Sequence, residues 1–167
     1  MSIRIARLAE CERHLGAIAG WQQAEFGYLS PAVTPAQREA RLRAALHGTD
    51  LPLTLVALDA EGRPVGAATL QAQTMTHPHL TPWLSTVVVA PAFRGRGIAS
   101  MLSLQIAAEA ARLGFPTIYL FTPGNASLYR RLGWDTIDTA EVKGTQVTVM
   151  ARATASSIQI RGSCKSV

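Results

Sequence analysis

Charged side chains are scarce in this 167-residue sequence, making up 16% of the chain against 48% for apolar ones. A chain so rich in apolar residues is not intrinsically disordered, and its length predicts one folded domain. Long hydrophobic runs are missing as well, since no segment approaches the ~18 consecutive apolar residues of a membrane-spanning helix. We therefore expect a globular domain with no membrane partner.

Cysteine is nearly absent, because only Cys11 and Cys164 occur, close to opposite ends of the chain. Two cysteines so far apart make neither a disulfide framework nor the closely spaced ligand set of a zinc site. Near the N-terminus, Arg4 and Arg7 interrupt the segment in which an export signal needs an apolar core. These features predict a cytoplasmic protein that binds no metal.

Aromatic residues are also few, with three Trp, three Tyr and four Phe, and the net charge is +5. Only two of the 16 basic residues are lysines. The planar guanidinium of arginine suits phosphate, although a preference for arginine can equally reflect genome composition. No basic run is interleaved with aromatic residues, so we expect no nucleic-acid partner.

The hydrophobic residues that are present follow two periods, of about two residues in strands and about 3.6 in helices. Residues 1–153 are predicted to form one α/β domain around a mixed sheet, and the small polar residues of 154–167 a loosely ordered tail. The predicted strands are 3–8, 53–58, 65–73, 83–89, 117–121, 135–140 and 146–153. The predicted helices are 11–26, 34–48, 97–113 and 126–132.

Two of these elements carry specific local signals. Thr34 followed by Pro35 and Gln37 is typical of a helix start, in which the threonine caps the helix and the glutamine bonds back to it. Gly48 is a suitable stop for the same helix. In the strand at 83–89, the β-branched run Val87–Val89 predicts a buried strand at the centre of the sheet.

A loop rich in glycine and arginine separates that strand from the longest helix. It reads Arg94-Gly95-Arg96-Gly97, and the helix follows at once. Helix N-termini present unpaired N–H groups and a partial positive charge, and glycine lets a phosphate approach the backbone closely. The loop is therefore a candidate site for a pyrophosphate group.

Two common phosphate-binding motifs fit this loop poorly. A P-loop requires a lysine directly after its second glycine, and none follows Gly97. A dinucleotide fingerprint accommodates Gly95, Gly97 and Ser100, but it also needs an acid at the end of the next strand. The nearest downstream acid, Glu109, falls inside the predicted helix instead.

A third motif fits better. Arg94-x-x-Gly97-x-Ala99, preceded by Val-x-Pro, resembles the Arg/Gln-x-x-Gly-x-Gly/Ala signature of the Gcn5-related N-acetyltransferase (GNAT) superfamily. Further on, Asn125 stands four residues before Tyr129, and Gly-Trp follows, which resembles a later motif of that family. The two motifs together span about residues 83–135. The resemblance implies a single-domain GNAT-like α/β fold, whose mixed sheet is splayed at its centre and flanked by helices.

The resemblance also implies acetyl-CoA as cofactor and a role for each matching residue. In the family, the strand before the loop binds the pantetheine arm through its backbone, the loop amides bind the pyrophosphate, and the asparagine holds the arm. Tyr129 matches the tyrosine that donates a proton to the leaving thiolate. The residues assigned to acetyl-CoA in this way are Val87, Val88, Val89, Arg94, Gly95, Arg96, Gly97, Ile98, Ala99, Ser100 and Asn125.

The general base is left open. Many relatives carry a glutamate on the strand before the loop, whereas no Asp or Glu occurs between Glu61 and Glu109 in this sequence. The open candidates are His77, His79, Glu25, and a water chain along Ser85 or Thr86.

In the family, the first two helices and their connection form the acceptor pocket. The segments expected to line it here are residues 26–31 and 74–82, together with Trp21 and Trp83. Glu25 is the one acid nearby, which argues against polycationic acceptors.

The expected function is transfer of an acetyl group from acetyl-CoA to a primary amine of a small molecule, by direct attack on the thioester. A protein or peptide N-acetyltransferase remains an alternative, as does a non-catalytic acetyl-CoA-binding domain, although Asn125 and Tyr129 disfavour the latter. The expected partners are acetyl-CoA and the amine, and the chain is expected to be a monomer or a homodimer.

Overall fold

A computed structural model gives the fold of residues 2–46 and 51–154. Within these residues it contains seven β-strands and four α-helices, joined by short turns. The strands are β1 (Arg4–Arg7), β2 (Leu53–Leu58), β3 (Pro64–Gln71), β4 (Trp83–Val89), β5 (Thr117–Thr122), β6 (Asp135–Val142) and β7 (Thr145–Ala153). The helices are α1 (Leu15–Phe26), α2 (Pro35–Ala44), α3 (Ile98–Arg112) and α4 (Ala126–Arg131).

The strands form one mixed sheet in the order β1-β2-β3-β4-β5-β7-β6. Only β4 and β5 run parallel, and every other neighbouring pair is antiparallel. Side chains alternate between the two faces of a strand, so Val56 and Ala67 pack against α1 and α2, whereas Leu55 and Ala68 pack against α3. The predicted α/β class with a mixed sheet flanked by helices is confirmed.

The first predicted helix begins later than expected. Residues Leu8–Glu10 and Glu12–His14 form short 3₁₀ turns, and α1 starts only at Leu15. The break lies at Cys11, whose backbone (φ −144°, ψ 51°) is not helical and whose buried thiol donates a hydrogen bond to the Arg7 carbonyl. Cys11 therefore separates the two 3₁₀ turns, and its side chain is buried in the core.

The capping signals of α2 are confirmed. The Gln37 N–H donates to Thr34 Oγ1 at 3.1 Å, and the Thr34 N–H donates to Gln37 Oε1 at 2.9 Å. Pro35 occupies the first turn, where its missing N–H costs nothing. The predicted stop at Gly48 lies outside the described residues.

The long helix α3 packs on the centre of the sheet through one apolar stripe. Ile98, Leu102, Ile106 and Ala110 are all at most 1% exposed, as their spacing predicts. The helix approaches the sheet closely at Gly66 of β3, where a Cβ atom would lie 2.9 Å from the Val88 carbonyl oxygen and 3.2 Å from side-chain atoms of Ile98 and Leu102.

Replacing Gly66 by alanine is therefore expected to destabilise the protein by about 1–3 kcal/mol, the usual cost of overpacking a core. Urea unfolding measures this free energy. The matched control is Gly20→Ala on the exposed face of α1, where nothing lies within 4 Å of the added Cβ. That change should stabilise the protein by up to about 1 kcal/mol, because alanine has the higher helix propensity. Equal midpoints for the two variants would contradict the close packing of β3, β4 and α3.

Thr154 packs against the domain. Thr154, assigned to the tail from the sequence, is buried, and its N–H and hydroxyl bond to the carbonyls of Pro116 and Phe115. Residues 155–167 are outside the described part of the chain. In that part, no helix is both long and apolar enough to span a membrane.

Candidate active site

The two central strands separate soon after they meet. In the described part of the chain, β4 and β5 are paired only at Trp83 and Tyr119, so no described strand borders the backbone edge of β4 beyond that point. The prediction that Val87–Val89 is a buried run is correct only for Val88, because Val87 and Val89 are partly exposed. The reason is the gap itself, which opens beside these two residues. The central splay implied by the resemblance is confirmed.

A β-bulge lies on β4 beside this gap. Ala67 pairs with Val88 and Thr69 pairs with Ser85, so two β4 residues, Thr86 and Val87, lie opposite one β3 residue. Thr86 has φ +50°, a strained value for a β-branched side chain. Ser85 Oγ is buried and has no hydrogen-bond partner among the described residues. Backbone strain and an unpartnered hydroxyl thus both occur where β4 leaves β5.

A cavity of about 410 Å³ extends from the gap to the start of α3. It is lined by Glu25, Phe93 and Leu128 together with eleven of the residues predicted to act on acetyl-CoA, namely Val87, Val88, Val89, Arg94, Gly95, Gly97, Ile98, Ala99, Ser100, Asn125 and Tyr129. Arg96 does not line this cavity, because its guanidinium lies over the Phe93 ring, 5.2 Å from the centroid. We name this space the loop cavity.

The backbone of the glycine loop is open toward the loop cavity. Gly95 and Gly97 have φ of +78° and +80°, and no atom lies within 4 Å of a Cβ built on either. Gly97 is the N-cap of α3 and has no side chain that could accept a hydrogen bond. The first bond of the helix runs from the Met101 N–H to the Gly97 carbonyl. The N–H groups of residues 98–100 therefore have no acceptor inside the helix. This arrangement fits a phosphate group.

The Arg94 side chain lies along one wall of the loop cavity. Its Nε donates to the Val89 carbonyl at 3.2 Å, and its Nη2 lies 3.4 Å from Glu25 Oε2. Both side chains are about half exposed, so the ion pair contributes little to stability. The ion pair instead orients Glu25, because Arg94 bonds to β4 and to the Glu25 carboxylate at the same time.

A second cavity, of about 450 Å³, lies beyond the gap, and we name it the acceptor cavity. Its walls come from the α1–α2 connection, β4, β5 and the loop after β3. Glu25, Val87, Asn125 and Tyr129 line both cavities. The two spaces therefore meet at the tyrosine and the asparagine of the later motif.

Tyr129 is 6% exposed, and its ring packs edge-on against Trp134 with centroids 6.0 Å apart. Burial raises the pKa of Tyr129 to about 12, so its phenol keeps its proton at neutral pH. Asn125 is the N-cap of α4, and the Tyr129 N–H donates to its carbonyl at 3.3 Å. A protonated phenol thus stands where the cavities join.

The predicted acceptor segments line the acceptor cavity only in part. Residues 26–31 contribute Phe26, Tyr28, Leu29 and Ser30, whereas residues 74–82 contribute only Thr74 and Met75 among the residues described. The two tryptophans do not line it. Trp83 is buried against Tyr119 and donates its indole N–H to the Leu80 carbonyl at 2.8 Å. Trp21 packs against the apolar cluster beneath α1 and α2. Both side chains pack against core residues and therefore do not reach the cavity.

Some candidates for the general base line the acceptor cavity and others do not. Glu25, Ser85 and Thr86 line the acceptor cavity, whereas His77 and His79 line neither cavity. His77 bonds instead to Thr76 Oγ1 at 2.6 Å and to Asp138 of β6 at 2.7 Å. The His77 hydrogen bond lowers the pKa of the Asp138 carboxyl.

Arg38 and Arg41 of α2 belong to no motif recognised in the sequence, although both line the acceptor cavity. Their spacing of three residues places them on one helical face, and only the packed structure shows where that face points. Among the described residues, no group of three or more His, Cys, Asp or Glu side chains could hold a metal ion.

The model of the Acetyltransferase (GNAT) family matches residues 15–134, which is most of the chain. This chain belongs to the GNAT acetyltransferase family. GNAT proteins use acetyl-CoA, and both motifs identified in the sequence lie within the matched region. The sequence shows no significant similarity to curated proteins.

Solved GNAT structures resemble this one along nearly their whole length. A phosphinothricin acetyltransferase from Sinorhizobium meliloti, in complex with AcCoA, has a TM-score of 0.71 and 22% identity, covering 92% of this chain and 89% of its own. A spermidine N-acetyltransferase chimera from Vibrio cholerae and hSSAT has a TM-score of 0.71 and 18% identity, covering 95% and 99%. An aminoglycoside 6'-acetyltransferase type Ii has a TM-score of 0.67 and 17% identity, covering 92% and 97%. At these identities the likeness establishes the fold.

Proposed function

We propose that this GNAT protein transfers the acetyl group of acetyl-CoA to a primary amine of a small molecule, by direct attack of the amine on the thioester. The observation that carries the proposal is the meeting of two cavities at Tyr129 and Asn125. A volume of about 450 Å³ suits a small molecule, which favours such an acceptor over a protein or peptide.

The residues proposed to hold acetyl-CoA are those of the loop cavity. The N–H groups of residues 98–100, which have no acceptor inside α3, suit its pyrophosphate, and the unpaired edge of Val87–Val89 offers backbone groups to the pantetheine arm. Asn125, at the junction, is proposed to bind the same arm. When bound, acetyl-CoA supplies an activated acetyl group as a thioester.

Transfer requires that the amine lose one proton and that the leaving sulfur gain one. We assign the second proton to Tyr129 Oη, because a phenol with a pKa of about 12 stays protonated near neutral pH. A backbone N–H on the free edge of β4 is suited to polarise the thioester carbonyl. Of the described carboxylates, Glu25 alone lines the junction. It can accept the amine proton directly, or the proton can leave through water along Ser85 and Thr86.

Acetyl-CoA is expected to raise the melting temperature of this protein, whereas ATP, NADH and duplex DNA at the same concentration are not. A ligand that binds only the folded state stabilises it by about 2.7 kcal/mol at a hundredfold excess over Kd. Differential scanning fluorimetry measures the shift. Stabilisation by ATP or NADH but not by acetyl-CoA would overturn the assignment of the loop cavity.

Turnover is then measured by thiol release from acetyl-CoA across a panel of small amines and peptides. The proposed function predicts release with at least one small primary amine. Binding of acetyl-CoA without release by any amine or peptide would instead indicate a non-catalytic acetyl-CoA-binding domain.

A further inference from the structure

The acceptor cavity has an unusual balance of charge for a site that binds amines. Arg38 and Arg41 project from the same face of α2 and line it, whereas Glu25 is the one carboxylate that the described residues contribute to its wall. Glu25 already faces Arg94 at 3.4 Å. The side of the cavity formed by α2 is therefore cationic.

Neither arginine is neutralised by a carboxylate within residues 2–46 and 51–154. Arg38 Nε donates to the uncharged Gln23 Oε1 at 3.2 Å. On the same helix, by contrast, Arg43 forms an ion pair with Glu39. Burial, and secondly the charge of Arg41, lower the pKa of Arg38. An anion placed between Arg38 and Arg41 would offset the repulsion between the two guanidinium groups.

The cavity also offers a place for such an anion. Beside α2 it adjoins a smaller recess of about 110 Å³. Four polar residues line both spaces, namely Arg38, Arg41, Gln71 and Thr86. Guanidinium groups bind carboxylates through paired hydrogen bonds, and the Gln71 amide and Thr86 hydroxyl can donate further ones. The remaining wall includes apolar side chains such as Leu84, Leu120 and Phe121.

We propose that the acceptor is a primary amine that also carries a carboxylate, as an amino acid does, and that Arg38 and Arg41 bind this carboxylate. The proposal rests on the proposed function, because it names the substrate class of the same site. The apolar wall then contacts the substrate side chain, and the amine lies at the junction with Tyr129. Polycationic amines are poor substrates, because the two arginines repel them.

The first test compares matched substrates by thiol release, using L-leucine against L-leucinamide and L-phenylalanine against L-phenylalaninamide, with spermidine as the polycation. The two members of each pair have the same side chain, and an amide replaces the carboxylate in the second member. The expected result is a kcat/KM about tenfold or more higher for the acids, since hydrogen bonds to charged groups are the strong ones. The α-amine of an amino acid amide is less basic than that of the amino acid. A larger fraction of it is unprotonated and able to attack, so the difference in basicity favours the amide and opposes the expected result. Equal or better turnover of the amides or of spermidine would overturn the proposal.

The second test uses the variants Arg38→Gln and Arg41→Gln. Each should raise KM for the amino acid by about 10- to 100-fold with little change in kcat, and leave KM for the amide unchanged. Arg43→Gln on the same helix is the matched control, because Arg43 is paired with Glu39 and lines neither space. Melting temperature and acetyl-CoA affinity should stay unchanged in all three. An unaltered KM for the amino acid in both Arg38→Gln and Arg41→Gln would refute the proposal.

A binding measurement separates this proposal from the proposed function. Calorimetry on the CoA-saturated protein should detect N-acetyl-L-leucine and give at least tenfold weaker binding of N-acetyl-L-leucinamide, with the difference lost in Arg38→Gln. If acetyl-CoA binds and other amines are turned over but this difference is absent, the carboxylate site is wrong and the acetyltransferase stands. If no amine is turned over but the difference is present, the proposed function fails and the carboxylate site stands.

Discussion

Replacing Tyr129 by phenylalanine is expected to lower kcat about 100-fold, the usual scale for the loss of a positioned proton donor. The ring and its packing against Trp134 remain, so the fold should be kept. Only the hydroxyl is removed, and with it the proton assigned to the leaving sulfur. The affinity for acetyl-CoA should change little, since Asn125 and the loop amides are untouched. Steady-state kinetics with the best amine and a binding titration measure the two effects.

The matched control is Tyr119→Phe, because Tyr119 packs against Trp83 and lines neither cavity. It should retain full turnover. A stable Tyr129→Phe variant with normal kcat, under conditions where chemistry limits the rate, would show that the hydroxyl is not the acid. Single-turnover kinetics provide those conditions if product release is slow in the parent protein.

The second large effect is expected at the glycine loop. Gly97→Val should weaken acetyl-CoA binding at least about 100-fold. A branched side chain at the N-terminus of α3 would prevent a phosphate from approaching the backbone N–H groups. A Cβ atom has space at this position, since no atom lies within 4 Å of it. The loss should therefore appear in binding more than in folding. Calorimetric titration with acetyl-CoA measures it.

Backbone strain accompanies this substitution and needs its own control. Gly97 has φ +80°, and valine in that region costs about 1–3 kcal/mol. Gly114, at the other end of α3, has φ +92° and equally open space, and it lies outside both cavities. Gly114→Val should lose similar stability and keep its affinity for acetyl-CoA. A folded Gly97→Val variant with parent-like affinity would remove the loop from the binding site.

Elements whose determinants are close together in the chain could be predicted well. The cap of α2 depends on two hydrogen bonds between Thr34 and Gln37, three residues apart. The buried stripe of α3 follows from residues that repeat at helical spacing. The non-helical backbone of Cys11 was missed, because the burial of its side chain depends on contacts with distant residues.

The residues of the candidate site also differ in how well the sequence could predict them. Both GNAT motifs are continuous in the chain, so the loop residues, Asn125 and Tyr129 could be named from the sequence. The surroundings of Arg38, His77 and Trp83 could not, because each of these side chains also contacts a residue that is far away in the sequence. His77, a candidate base in the sequence, bonds to Asp138, which is sixty-one residues away.

The sequence by itself determined the fold class, the glycine loop and the residues of the two motifs, since each depends on spacing within a short segment. Tertiary structure alone decided the bulge at Thr86 and the cationic wall formed by Arg38 and Arg41. These features arise where strands pair and helices pack across long sequence distances. Side-chain packing and strand register are global properties of the chain, whereas capping and periodicity are local ones.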